Sequence, residues 1–223
     1  MSAAPIRALL LDFGGTLDAD GVAWKERFRR LFADEAALAP DGDFDSAFYA
    51  ADDALVGSVP PSLAFEETVS KLAAGVAGNL GRPDAAAPVA RKFLAESRAC
   101  LSRSTGVLAA LHPRYRLAVV SNFYGNLESV CRETGLAAHL DAAVDSAVVG
   151  ASKPDPRIFR AALSALEVAA EEAVFVGDSL PRDMAGARSL GMRHVWISPR
   201  AEACCCPEDR VIASFRRIAE AVA

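Results

Sequence analysis

The chain has 223 residues, enough for one large domain or a core carrying an inserted subdomain. Its 52% hydrophobic content supports a buried core and excludes intrinsic disorder. A net charge of −5 without an extended basic run argues against nucleic acid as a partner, and no stretch approaches the roughly 18 uninterrupted apolar residues of a membrane span.

The first element is an apolar strand, Ile6–Phe13, inside the stretch LLLDFGGTLDADG. The short run Ala8–Leu11 ends at once in Asp12, with no basic segment before it and no long apolar region, so no secretory leader is expected. A long segment without a strand signal follows, about residues 18–104. Trp24, Phe28, Leu31 and Phe32 recur at helical spacing, as do Phe65, Val69, Leu72 and Val76, and Val89, Phe93 and Leu94 begin a third stripe. Breaks at Pro40–Gly42, Pro60–Pro61 and Gly81–Pro83 leave room for one helix more, so the segment reads as a cap of about four helices. Four further buried strands are predicted over Arg116–Ser121, Ala142–Val149, Ala173–Asp178 and His194–Ser198. Helices over Tyr124–Gly135, Asp155–Glu167 and Pro181–Gly191 separate them. Strand and helix in alternation predict a doubly wound, five-stranded parallel α/β core of Rossmann-like type. It is built from residues 1–17 and 105–223, with the all-helical cap at 18–104 inserted. The five cysteines include the adjacent Cys204, Cys205 and Cys206, in no ligand spacing, which points to a reduced cytoplasmic protein.

In such a sheet ligands bind beyond the carboxyl ends of the strands. The first strand leaves Asp12 there and the second leaves Ser121 and Asn122. The third is followed by Lys153, and the fourth leaves Asp178 with Asp183 five residues on. Each signal is weak by itself, since a lone aspartate or serine at a strand end is often a helix cap. In this order and on these elements they describe one site. Asp12, Asp178 and Asp183 would repel one another unless a cation lay between them, and an all-oxygen donor set selects a hard ion such as Mg²⁺. Lys153 and the Ser121 hydroxyl can hold a transferring phosphoryl group, and Asp12 can serve as the nucleophile.

The set resembles the haloacid dehalogenase superfamily over the full chain. DFGGTL is similar to its first motif, LAVVSN to its second, SKPDPRIF to its third and VFVGDSLPRDMAGARSLGM to its fourth. The helical segment is similar to the family's cap. The resemblance implies a hydrolase acting on a small phosphorylated substrate, with Asp12 as nucleophile and Lys153 steadying its charge. It further implies Ser121 and Asn122 on the substrate, and Mg²⁺ held by Asp12, Asp178, Asp183 and the Gly14 carbonyl.

Gly14 departs from the pattern. Most phosphatases of the family place a second aspartate there, which protonates the leaving oxygen and later activates water. That kind of help is worth about 10²–10⁴ in rate. Four readings follow: a phosphatase favouring good leaving groups, a phosphotransferase or acyl-phosphate hydrolase, a dehalogenase or phosphonate-cleaving enzyme, and a catalytically weak binding protein of the same fold. Asp18 and Asp20 lie on the adjacent loop and are candidates for the missing acid, although turn and helix-entry roles suit them better. Trp24 and Phe28 are expected to pack the cap rather than line the pocket. The KERFRR run, Lys25 to Arg30, reads as a solvated helix face, as do Lys71 and Lys92.

Overall fold

The computed structural model describes residues 4–36, 43–199 and 210–222. Cys204–Cys206 and the break at Pro40–Gly42 lie outside them. Six strands form one parallel sheet: β1 (Ala8–Leu11), β2 (Arg116–Ser121), β3 (Ala142–Asp145), β4 (Ala173–Gly177), β5 (Arg193–Ile197) and β6 (Arg210–Ile212). Their order is β3-β2-β1-β4-β5-β6. The chain therefore builds outward from β1 on one side and then crosses over to β4 on the other. That reversal opens a crevice at the carboxyl ends of β1 and β4, where a ligand can reach the strand tips.

Two elements differ from the sequence expectation. The sheet has a sixth strand, because the three residues Arg210–Ile212 pair in parallel with Val195–Ile197; so short a segment carries no periodicity to detect. The apolar run Ala142–Val149 is half strand and half helix. Asp145 ends β3 and caps the short helix that follows, its Oδ1 accepting from Ala147 N at 2.9 Å. A continuous apolar run looks the same in either conformation, and the cap decides.

The cap comprises α1 (Trp24–Ala36), α2 (Phe44–Leu55), α3 (Phe65–Asn79) and the first part of α4 (Ala86–Leu111). The predicted stripes are its interior: Phe28, Phe32, Phe65, Val69, Leu72, Val76, Val89 and Phe93 are all fully buried or nearly so. α4 does not stop at residue 104 but runs on into the core. Ser104 marks the passage by donating to the Leu17 carbonyl at 2.7 Å. The remaining helices are α5 (Leu127–Glu133), α6 (Ser146–Val149), α7 (Pro156–Leu166), α8 (Ala185–Ser189) and α9 (Ile218–Ala221).

Alternate residues of the strands point to opposite faces. Leu9, Leu11, Leu117, Val119, Val174 and Val176 join the cap stripes in one continuous hydrophobic cluster. Leu10, Val120 and Phe175 pack with Ile158, Phe159 and Leu163 of α7 on the other face. With both faces covered, the near-continuous apolar character of the strands has its explanation. No helix among the described residues is long and apolar enough to cross a membrane.

Candidate active site

β1 carries Asp12 to the crevice and continues its ladder there, Asp12 N donating to the Val176 carbonyl at 2.9 Å. The carboxylate is buried and held from three directions. Lys153 Nζ lies 2.5 Å from Oδ1, Ser121 Oγ donates to the same oxygen at 3.2 Å, and Thr16 Oγ1 reaches Oδ2 at 3.3 Å. Lys153 also lies 2.7 Å from Asp183 Oδ1, at ion-pair distance but off the hydrogen-bond direction. Burial would lower the lysine's proton affinity, but the carboxylates of Asp12 and Asp183 outweigh it and hold the ammonium above its ordinary range.

Asp12, Asp178 and Asp183 each offer a carboxylate oxygen within 4.8 Å of the others. Two glycines make that approach possible. Gly15 adopts φ +96, and a Cβ there would collide with the Asp178 carboxylate. A Cβ on Gly177 would strike the Asp183 carboxylate, whose Oδ2 accepts from Ser179 N at 3.0 Å. Burial, with Asp12 and Asp183 as like charges beside it, pushes the Asp178 carboxyl well above the usual carboxylate range. Burial raises Asp183 as well, against the pull of Lys153. Like charges crowded out of water are the condition under which a bound cation is favoured. The donors are all oxygen, so the residues fit a hard divalent ion.

The site opens into a cavity of about 350 Å³ between cap and core. Its walls include Gly14, Trp24, Asp52 and Tyr124, besides Asp12, Ser121, Lys153, Asp178 and Asp183. Asn122 lines it too, but both its amide atoms bond the main chain of Lys153: Nδ2 donates to the carbonyl at 3.1 Å, and Oδ1 accepts from N at 2.7 Å. Its observed partner is thus the lysine's backbone.

The structure removes both loop candidates for the missing acid. Asp18 is fully enclosed and accepts from Gly15 N, Trp24 Nε1 and Arg27 at 2.8 Å each, and from Ser97 Oγ at 3.1 Å. Asp20, at φ +51, accepts from Ser214 Oγ at 3.0 Å and Phe215 N at 2.8 Å, tying the first loop to the last turn of the core. Arg27 corrects the picture of a solvated basic face, since it is 4% exposed and stacks over Phe93. Trp24 packs against Phe65 and Phe93 of the cap as expected but also lines the cavity, whereas Phe28 packs inside the cap against Phe48 and Phe93.

A family model for haloacid dehalogenase-like hydrolases matches residues 6–191, most of the chain and all four strand-end loops. The chain belongs to that family. It is 39% identical over 140 residues to a phosphoserine phosphatase of Thermus thermophilus, covering 60% of this chain and 54% of that protein. It is 46% identical over 83 residues to the haloacid dehalogenase-like hydrolase domain-containing protein 3 of Bos taurus, covering 37% of this chain and 33% of that one. The chain thus spans about half or less of the length of these relatives. A phosphatase of the family from Thermococcus onnurineus superimposes with TM-score 0.60 at 22% identity, over 97% of this chain and 98% of that one. A dehalogenase does so with TM-score 0.67 at 18% identity, over 98% and 97%. At such identities the two structures speak for the shared fold only.

Three residues beyond those expected from sequence lie against the carboxylate cluster or along the cavity. Thr16 is fully buried, and its hydroxyl lies 3.3 Å from Asp12 and 3.4 Å from Asp178. Its place in DFGGTL, four residues past Asp12, was the available signal. Tyr124 and Asp52 meet across the cavity, the phenol donating to Asp52 Oδ1 at 2.5 Å. The two are 72 residues apart in sequence and nothing in either segment pairs them.

Proposed function

We propose that this chain is a Mg²⁺-dependent phosphatase acting on a small phosphorylated metabolite in a reducing, cytoplasmic setting, through an aspartyl-phosphate on Asp12. The observation that carries the reading is the cluster of Asp12, Asp178 and Asp183 within 4.8 Å, with Lys153 in contact with two of them. A site built to gather negative charge around a cation suits phosphoryl transfer. It suits carbon–halogen cleavage poorly, because there a single carboxylate attacks carbon and no multiply charged group needs neutralising.

The residues divide the work. The Asp12 carboxylate attacks phosphorus as the bond to the leaving oxygen breaks and its electron pair departs with that oxygen. The Lys153 ammonium and Ser121 hydroxyl, already on Asp12, are placed to take charge on the phosphoryl oxygens. Water then attacks the same phosphorus, phosphate leaves and Asp12 is restored. Asn122 fixes the lysine's main chain, and Thr16 holds Asp12 and Asp178 in register. Asp12, Asp178, Asp183 and the Gly14 carbonyl would hold Mg²⁺, which supplies charge neutralisation at the phosphoryl group when bound. Of the cap at residues 18–104, helices α1 and α2 wall the cavity, which suits a small substrate.

Gly14 has no proton to give, and Asp18 and Asp20 are committed elsewhere. Unless another wall of the cavity supplies a proton, departure depends on leaving-group basicity, with aryl and acyl phosphates cleaved faster than sugar phosphates. The test is a panel of acyl, aryl and alkyl phosphates assayed with Mg²⁺ and with chelator, on native protein and Asp12→Asn. Metal-dependent turnover lost in the variant supports the reading; turnover that persists in chelator or in Asp12→Asn refutes it.

A further inference from the structure

Five carboxyl groups line the cavity. Asp12, Asp178 and Asp183 form the central cluster, and Asp53 on α2 is exposed. The fifth is Asp52, also on α2, partly buried and hydrogen-bonded to the Tyr124 hydroxyl at 2.5 Å. Tyr124 belongs to the loop after β2, three residues beyond the Ser121 that touches Asp12. Its main chain is tied to the cap too, Gly57 N donating to the Tyr124 carbonyl at 3.1 Å. One member of the pair comes from the cap and the other from the core, and both line the cavity that Asp12 lines.

We propose that Asp52 is the proton donor to the leaving oxygen of alkyl phosphomonoesters, replacing the acid that Gly14 lacks, with Tyr124 as its positioning residue. The inference rests on the phosphatase reading of Asp12. In the first step the phosphorus–oxygen bond to the leaving group breaks, its electron pair stays on that oxygen, and the Asp52 proton passes to it, directly or through one water. In the second step the Asp52 carboxylate accepts a proton from the water that attacks the phosphoryl group on Asp12. The sum is ester plus water giving alcohol plus phosphate, with both aspartates returned to their starting states.

The surroundings suit this task. Burial holds the Asp52 carboxyl above the ordinary carboxylate range. The Tyr124 hydrogen bond works against that shift, neighbouring Asp53 adds to it, and Arg182 from beyond β4 pulls it back. Lys25 and Tyr49 line the same cavity, with Lys25 held 3.1 Å from Asp45. A carboxyl whose proton affinity is raised is better matched to donating a proton than an ordinary one. The Tyr124 hydroxyl already donates to Oδ1, so a proton carried by the group would sit on Oδ2.

The experiment uses the full chain with Mg²⁺, comparing native protein, Asp52→Asn and Tyr124→Phe on ethyl phosphate and p-nitrophenyl phosphate across pH. Asparagine keeps an acceptor for Tyr124, so a purely structural latch would survive that change. We expect Asp52→Asn to lose about 10²-fold or more in kcat/KM on ethyl phosphate and less than about tenfold on p-nitrophenyl phosphate, whose leaving group needs no proton. The fall of alkyl activity toward high pH, where Asp52 deprotonates, should vanish in Asp52→Asn. It should move to higher pH in Tyr124→Phe, since the lost hydrogen bond favoured the carboxylate. Equal losses on both substrates, or an unaltered pH profile in both variants, overturns the role of Asp52 while leaving the phosphatase reading standing. If native protein cleaves neither substrate, or cleaves both as well after Asp12→Asn, the phosphatase reading falls and takes this inference with it.

Discussion

Replacing Gly14 with aspartate, the residue that the first motif's usual pattern would place there, should damage the protein rather than improve it. The backbone is no obstacle: Gly14 sits at φ −78, ψ 113, open to any residue. The obstacle is Trp24, since a Cβ on Gly14 would lie 3.2 Å from its Nε1 and 3.4 Å from its Cδ1. The indole cannot easily yield. Its N–H is bonded to Asp18, and its ring packs against Phe13, Phe65, Phe93 and Phe123 at centroid distances of 5.1–6.3 Å. Overpacking of this kind costs about 1–3 kcal/mol, offset by about 0.4–1 kcal/mol from a less flexible unfolded chain. At the middle of both ranges the net loss is about 1.3 kcal/mol, which should lower Tm by roughly 3–5 °C in a chain of this size. Gly14→Ala isolates the contact from the charge and should show most of the loss. In combination with Trp24→Phe, which removes the nearest atom, the two losses should fall short of additive by about 0.5 kcal/mol or more. The assays are thermal and urea unfolding together with turnover of an alkyl phosphate. A Gly14→Asp protein as stable as native that gains alkyl phosphatase activity would refute the reasoning.

Three further outcomes follow from the site. Asp18→Ala leaves buried Arg27 with only the exposed Glu96 at 3.5 Å as a carboxylate partner and should cost about 2–4 kcal/mol in urea unfolding; a loss below about 1 kcal/mol would show the pair to be dispensable. Mg²⁺ at about a hundred times its Kd should stabilise the native protein by about 2.7 kcal/mol in thermal unfolding, and Asp178→Asn should erase the shift. In chelator the sign for Asp178 is the reverse of an ion-paired carboxylate. Its folded-state proton affinity is raised, so the folded form holds more protons and stability falls as pH climbs from the ordinary carboxylate value toward the raised one. Asp178→Asn should remove that fall and leave the metal-free protein more stable at neutral pH; a steeper fall in the variant would contradict the crowded-charge picture.

The sheet, the cap helices and the polar strand ends were legible because each follows from a local pattern. β2 was bounded correctly at Arg116–Ser121, and the stripe Phe65–Val76 is the buried face of α3. The convergence of Asp12, Ser121, Lys153, Asp178 and Asp183 follows from strand order and one end of a parallel sheet, which the alternation of strand and helix already implies. What could not be read was pairing at a distance. Asp52 with Tyr124, Asp18 with Ser97, and Asp20 with Phe215 join segments whose local sequences are ordinary. The fate of Arg27 was hidden for the same reason: a basic run on a helix looks solvated until a buried carboxylate from another loop is placed against it.

Those distant pairings also explain Gly14 as a fitted residue. Trp24 occupies the space beside it, and Asp18 satisfies the indole N–H. The charge of Asp18 is matched by Arg27, whose guanidinium stacks over Phe93 and donates to the Phe93 carbonyl at 3.0 Å and to Ser97 Oγ at 2.9 Å on α4. A single connected set therefore runs from the loop after β1, through α1, to the longest cap helix. Restoring an acid at residue 14 would disturb its first member, and a buried network with one member displaced costs more than the contact itself. A proton donor is more readily accommodated at a cavity-lining position outside that set than at residue 14. Asp52 is such a position, held by a core tyrosine and with no bond to the Trp24–Asp18–Arg27 set among its observed partners.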